Sequence, residues 1–287
     1  MQATVKILIA FGTLLFVLIV SILVLSYLYW RIFQPPKGNP YEYVATNDLE
    51  ASTKKRIVCV GDSLTHGNMS VNYVKMLSER LESENYDIIN AGINAELTYN
   101  ILQRLDSIIA CKPDFVTILV GTNDINRQLD LPSKKRGVRR LKLPQEPDEA
   151  WFSSNLLKII SELQEKTSAK IALCSLPPCG EDQINHAFLM SSKYSNIIAD
   201  IAKQTGVFYL PVHEKMLSYL RANPSTPKYP YEHRLIELTF LQFYLLGISF
   251  DNISKRNGFS LLIDHVHLNT SGAKIIADLV EKFILAD

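Results

Sequence analysis

The sequence predicts an α/β domain built on a mostly parallel, helix-covered sheet and preceded by one membrane-spanning helix. Three observations carry this. Short apolar, β-branched runs alternate with amphipathic helical stretches from residue 56 onward, the pattern of strand–helix–strand crossovers. Residues 7–30 form an apolar run without a charged side chain, long enough to span a bilayer. At 287 residues and 47% hydrophobic, the chain can bury one sizeable core besides that segment.

Taken in order, the apolar run holds only Thr13, Ser21, Ser26, Tyr27 and Tyr29 as polar members. Tyr27, Tyr29 and Trp30 gather at one end and Arg31 follows, as at a membrane interface. A cleaved signal peptide has a shorter apolar core and a small-residue cleavage site, so an uncleaved anchor over 1–33 is expected. Lys6 on one side and Arg31 and Lys37 on the other hardly separate the two orientations. The short N-terminal tail favours staying inside, with the large domain outside the cytoplasm. Gln34 to Pro40, with three prolines and a glycine, breaks helix, and 34–55 reads as linker. The domain proper is 56–287.

Within it, Ile57–Val60, Asp87–Asn90, Phe115–Val120, Ile171–Cys174 and Val207–Leu210 read as five strands. Helical spacing joins Val74, Leu77 and Leu81. It recurs at Ile101, Leu102, Leu105 and Ile108, at Leu156, Ile159, Ile160 and Leu163, around Ile197–Ile201, and at Ile275, Ile276, Leu279, Val280 and Phe283. Two segments break the alternation. Pro132–Pro144 carries Lys134, Lys135, Arg136, Arg139, Arg140 and Lys142 with no acid, either a solvated loop or an attractor of anionic head groups. Tyr229–Phe250 is apolar and aromatic, too short and interrupted to span a membrane, and is expected as a buried helix or a lid over a substrate groove.

Composition excludes several classes. A net charge of +1 leaves no basic excess for a nucleic-acid partner. Four cysteines do not make a disulfide framework in a chain this long. Cys59 lies in a strand and reads as a small buried hydrophobe, while Cys174 and Cys179 can pair only in an oxidising compartment.

The chemistry-bearing residues sit at element ends. Ile57–Val60 stops at Gly61-Asp62-Ser63-Leu64, which places Ser63 at a strand's carboxyl end, where open α/β sheets hold reactive groups. Taken alone, Asp62 or Ser63 is as well explained as a helix cap. The second strand ends at Asn90-Ala91-Gly92-Ile93-Asn94-Ala95 and the third at Gly121-Thr122-Asn123-Asp124. Asp264-His265-Val266-His267-Leu268-Asn269 precedes the last helix. Each is weak alone, since turns and caps use the same residues. Their ordered occurrence is specific.

In that order the blocks resemble those of the SGNH (GDSL-type) hydrolase superfamily. Gly61-Asp62-Ser63-Leu64 is similar to its first block, Gly121-Thr122-Asn123-Asp124 to its third and Asp264-x-x-His267 to its last. The resemblance covers essentially everything after the linker. It implies a flavodoxin-like three-layer sandwich with a five-stranded parallel sheet, and metal-free hydrolysis of esters or thioesters by a serine. The chain departs from the family at the second block, where Ala95 aligns with the usual oxyanion-hole glycine. A backbone donor tolerates alanine unless positive φ is required, so Ala95 is the expected donor and Gly92 the alternative.

The residue types fit such chemistry on their own account. A serine needs an adjacent base, and His267 titrates near working pH. Asp264, three residues earlier, can hold the other ring nitrogen. Ser63 N–H and the Asn123 amide can donate to an oxyanion. His265 competes as base or as half of a metal pair, but no third ligand is evident, so no metal and no cofactor are expected. His66, one turn after Ser63, can line the mouth of the site; His186, His213 and His233 read as ordinary surface or helix residues.

The expected function is a membrane-anchored serine esterase or lipase-like hydrolase acting through an acyl-enzyme on Ser63. Its partners would be a small-molecule or lipid ester and, through the N-terminal helix, the membrane. Alternatives are an acyltransferase or deacetylase acting on a glycan, and a non-catalytic binding module. The apolar Tyr229–Phe250 segment and the basic loop suit a lipid ester better than an acetylated sugar.

Overall fold

The computed structural model describes residues 2–129, 138–139 and 141–286. Lys134, Lys135, Arg136 and Arg140 of the basic loop lie outside them. Its described members Arg139 and Lys142 are exposed. The chain divides into two units, Met1–Gln34 and Pro35–Asp287.

The first unit is one helix, Gln2–Ile32, in which Ile9–Ile32 is long and apolar enough to cross a membrane. Ile9, Phe11, Leu14, Phe16 and Leu23 all stand more than 60% exposed, an arrangement that water does not tolerate in a row.

The second unit holds a five-stranded parallel sheet with helices on both sides, in the order β2-β1-β3-β4-β5. The strands are β1 Lys55–Gly61, β2 Tyr86–Gly92, β3 Phe115–Leu119, β4 Lys170–Cys174 and β5 Phe208–Leu210. This is the flavodoxin-like strand order, and the α/β expectation is borne out. All five positions of β3 are buried, as both-faces-covered parallel strands require, which is why they read as continuous apolar runs. β1 pairs with β2 on one side and β3 on the other, and Gly61 is in register with Gly92 and Leu119. The ends of the neighbouring strands β2, β1 and β3 therefore open side by side.

Three elements differ from the sequence reading. Pro40–Thr46 of the expected linker is a helix packed on the domain: Asn39 caps it, and buried Tyr43 donates its hydroxyl to Asp87 at 2.7 Å. The helical period over 101–108 is divided between Thr98–Gln103 and Leu105–Ala110, because Arg104 leaves helical geometry to reach other groups. The apolar 229–250 segment forms the helix His233–Tyr244, which is not a buried core helix. Leu235 and Thr239 are buried, while Leu238, Leu245 and Leu246 are about half exposed or more. Two of the segment's three tyrosines bond to loops outside it. Tyr231 donates to Asn126 Oδ1, and Tyr244 donates to the Asn68 carbonyl at 2.7 Å.

All four cysteines are free and buried, Cys174 and Cys179 included. Burial pushes the Cys59 thiol up to about 12, so it behaves as a small hydrophobe.

Candidate active site

β1 ends at Gly61, and Asp62 caps the four-residue helix Ser63–His66 by accepting Leu64 N–H at 3.0 Å. That cap takes the second N–H of the helix and leaves the Ser63 N–H among the donors that have no intrahelical partner. The turn is tight on both sides. A Cβ on Gly61 would lie 2.1 Å from Thr65 Oγ1 and 2.5 Å from the Leu119 carbonyl. A Cβ on Gly92 would lie 2.1 Å from the His66 nitrogen. Glycine at both strand ends is what lets the helix sit directly on the sheet.

Ser63 Oγ lies 3.1 Å from His267 Nε2, and His267 Nδ1 lies 2.9 Å from Asp264 Oδ2. All three side chains are buried. Asp264 Oδ1 accepts the Val266 and His267 N–H groups at 3.0 and 2.9 Å, which fixes the carboxylate before it meets the ring. Burial alone would raise Asp264, but the charge of His267 and these hydrogen bonds hold it below the usual carboxylate range. Burial alone would lower His267, and Asp264 more than offsets it, so the imidazole sits above its ordinary value. The loop carrying both is clamped. Glu181 accepts Ser260, Leu261 and Leu262 N–H groups at 2.7–2.9 Å, and Leu268 N–H donates to Ser70 Oγ at 2.8 Å, tying the base to the nucleophile's loop.

The β2 end runs through Gly92 to Ala95, whose φ is +66°. Alanine thus occupies the left-handed region that the sequence reading reserved for glycine, at about 1–2 kcal/mol of backbone strain. Gly92 N–H is committed to Asn90 Oδ1 at 2.9 Å, and Asn90 Nδ2 holds the Thr65 carbonyl at 2.9 Å. Gly92 therefore packs, and its N–H does not point to a ligand. At the β3 end, the Asn123 amide donates to Asp62 Oδ2 at 3.2 Å and to the Glu96 carbonyl at 3.1 Å. Asp124 is buried and accepts both the Thr98 hydroxyl (2.9 Å) and N–H (3.2 Å). Burial pushes Asp62 up to about 7 against the pull of Leu64 N–H and His267, and Asp124 likewise to about 7.

Of the other histidines, His265 is turned to a different task. Its Nε2 donates to the Pro230 carbonyl at 2.8 Å and its ring lies against Tyr231 and Phe259. His66 is buried, its Nδ1 has no partner, and burial lowers it to about 4. His213 stands on a helix, Val212–Ala222, and is buried between Ser192 Oγ and the Leu176 carbonyl, each at 2.9 Å. Among the described residues no group of three His, Cys, Asp or Glu side chains is placed to hold a metal.

Several supporting residues escaped the sequence reading. Arg104 pairs with Glu96 at 2.8 Å and donates to the Ala91 carbonyl at 2.8 Å, bracing the loop that carries Ala95. Ser70 and Glu181 act across distant stretches of chain, and no local pattern announces them; Asn90 stands in the second motif block, but its hold on the Thr65 carbonyl does not show there. Only the offset of Arg104 from the apolar helical stripe was visible in advance.

Residues 59–275 match the family model described as the GDSL-like lipase/acylhydrolase family. The chain belongs to that family. It is thus a serine hydrolase of the GDSL/SGNH type, acting on esters. A curated relative, the acetylxylan esterase of Geobacillus stearothermophilus, is 23% identical over 179 residues, 56% of this chain and 78% of that protein. Among solved structures, the acetyl xylan esterase AlAXEase superposes with a TM-score of 0.58 at 22% identity, covering 80% of this chain and 99% of that one. The acetylxylan esterase Axe2 of G. stearothermophilus gives 0.57 at 19% identity, covering 80% and 94%. LAE5, an α/β hydrolase from a lake metagenome, gives 0.58 at 16% identity, covering 83% and 99%. At these identities the likeness is one of fold.

Proposed function

We propose that the protein is a membrane-anchored serine esterase that cleaves carboxylic esters through an acyl-enzyme on Ser63. The carrying observation is the chain Ser63 Oγ–His267 Nε2 at 3.1 Å and His267 Nδ1–Asp264 Oδ2 at 2.9 Å, built from residues 204 and 3 positions apart. His267 takes the hydroxyl proton as Ser63 attacks the carbonyl, and Asp264 stabilises the imidazolium. The oxyanion would sit among Ser63 N–H, Ala95 N–H and Asn123 Nδ2, the last exchanging a hydrogen bond it gives to Asp62 or to the Glu96 carbonyl for one to the substrate. The three donors come from the ends of β1, β2 and β3, three neighbouring strands. His267 returns the proton to the departing alcohol, and water then resolves the acyl-enzyme by the same route in reverse.

The helix Gln2–Ile32 would hold the domain at a membrane, with the catalytic unit on the extracytoplasmic side. For substrate, the names of the relatives support a short acyl group on a sugar hydroxyl. A second reading, a lipid ester, draws on the exposed Leu238, Leu245 and Leu246 of the apolar 229–250 segment.

A fluorophosphonate should label Ser63 in the wild type and fail on Ser63→Ala. Labelling of Ser63→Ala would sink the nucleophile assignment. Rates on esters from two to twelve carbons separate the substrate readings. An optimum at acetate supports the sugar ester, and each buried methylene adding about 0.8 kcal/mol of binding supports the lipid.

A further inference from the structure

Beside the catalytic loop lies a cavity of about 640 Å³ that the proposed chemistry does not use. One wall is His265, which is two residues from the base, so its Cα lies within about 7 Å of the His267 Cα. The other walls come from Gly180–Asn185, the loop after β4, and from 220–231, the stretch leading to the helix His233–Tyr244.

The lining has a definite chemistry. His265 Nε2 meets a carbonyl, which can only accept, so that nitrogen carries the proton and Nδ1 is left as an acceptor. Gly180, at φ +79°, keeps the wall open there. A Cβ on it would lie 3.3 Å from the Tyr231 ring and 3.6 Å from His265 Nδ1. Tyr229, half exposed, adds a second ring. Around these stand Asp182 and Asn185, each with Oδ1 taken by a backbone N–H (Ile184 and Ala187), and Arg221 and Lys228 as donors. Glu181 also lines the cavity, but its carboxylate is spent on the three N–H groups of 260–262.

Flat rings beside planar amide, carboxylate and guanidinium groups suit a ligand with apolar C–H faces and a girdle of hydroxyls. They suit neither an acyl chain nor a compact anion. We propose that this cavity is a subsite for a second sugar ring, one unit removed from the ring whose ester is cleaved at Ser63. The proposal rests on the esterase reading above and extends it to an oligosaccharide alcohol. His265 thereby has a binding task and not a catalytic one.

The test uses the full chain in detergent and three substrates: p-nitrophenyl acetate, monoacetylated xylose and acetylated xylotetraose. The wild type is expected to favour the tetraose over the monosaccharide by about tenfold in kcat/KM, chiefly through KM. Tyr229→Ala and Asp182→Ala should each bring that ratio toward one, and Tyr229→Phe, which keeps the ring, should restore it. A wild-type ratio of one, or a Tyr229→Ala ratio equal to wild type, overturns the subsite. So does hydrolysis of p-nitrophenyl acetate with neither sugar ester cleaved. If none of the three is hydrolysed, it is the esterase reading that fails. Calorimetric titration with unmodified xylotetraose then decides the cavity: heat of binding that Tyr229→Ala abolishes supports it, and no heat overturns it.

Discussion

Gly92→Ala should disable the site by moving the nucleophile, although no catalytic residue is substituted. The added Cβ would lie 2.1 Å from the His66 nitrogen, 2.6 Å from the Thr65 carbonyl carbon and 2.8 Å from the His66 Cα. These are backbone atoms, so no rotamer change relieves the overlap. Ordinary contact is about 3.5 Å, so the helix Ser63–His66 must lift from β2 by roughly 1.4 Å. Asn90 holds that helix through the Thr65 carbonyl at 2.9 Å, and Thr65 Oγ1 lies 3.0 Å from the Tyr73 hydroxyl; both contacts are strained by the lift. A misplacement of about 1 Å at a reacting group costs on the order of 100-fold in rate. Overpacking adds about 1–3 kcal/mol of destabilisation. We expect kcat on p-nitrophenyl acetate to fall about 100-fold, with a melting temperature lower by about 2–4 °C per kcal/mol. Gly206→Ala is the control. It meets no atom within 4 Å but holds φ +72°, so it should lose stability without losing rate. A Gly92→Ala enzyme within threefold of wild type would refute the close-approach reasoning.

Other outcomes follow from the same geometry. Asp264→Asn should lower kcat by about 10⁴-fold, with the fold retained by circular dichroism. In the wild type kcat/KM should fall on acidification through a value above the ordinary histidine range, because neutral His267 is the active form and Asp264 raises it. Without the carboxylate burial is opposed only by the charge of Asp62, so the acid limb of the Asp264→Asn profile should move to lower pH; an unmoved limb would separate Asp264 from the base. Asn123→Ala should cost about 100- to 1000-fold in kcat with KM nearly unchanged, and a loss confined to KM would remove Asn123 from the oxyanion site. Ala95→Gly keeps the N–H and relieves the positive φ, so its rate should stay within about twofold and its stability within about 1 kcal/mol, measured by urea unfolding; a tenfold rate loss would mean that the methyl group itself is used.

The sheet was legible because its strands are buried on both faces, so Ile57–Val60 and Phe115–Val120 had to be apolar without alternation. What was not legible depends on partners far away in sequence. Ile101, Leu102, Leu105 and Ile108 keep a helical period through a real break, since Arg104 is drawn aside by Glu96 and the Ala91 carbonyl. Tyr43 anchors Pro40–Thr46 through Asp87, and that contact spans 44 positions. The 229–250 segment stayed open for a different reason. Its apolar content allows a buried helix or a lid over a groove; among the described side chains of the helix His233–Tyr244 only Leu235 and Thr239 are buried, and the other apolar ones stand partly in solvent, which removes the first of the two.

The site shows the same division more sharply. Ser63, Asn123, Asp264 and His267 could be named from the chain because chemistry restricts their types and topology restricts them to element ends. Choosing between neighbours was harder. His265 and His267 differ in no local respect; the Pro230 carbonyl and the rings of Tyr231 and Phe259 hold one, and Asp264 and Ser63 face the other. Gly92 and Ala95 likewise divide two needs that a single glycine could have met. Gly92 gives up its side chain so that β2 can touch the backbone of the nucleophile's helix. Ala95 takes up the positive φ of the loop that follows β2. A glycine in such a motif thus points to a close approach or to a left-handed turn, and only the packing of the Ser63–His66 helix says which.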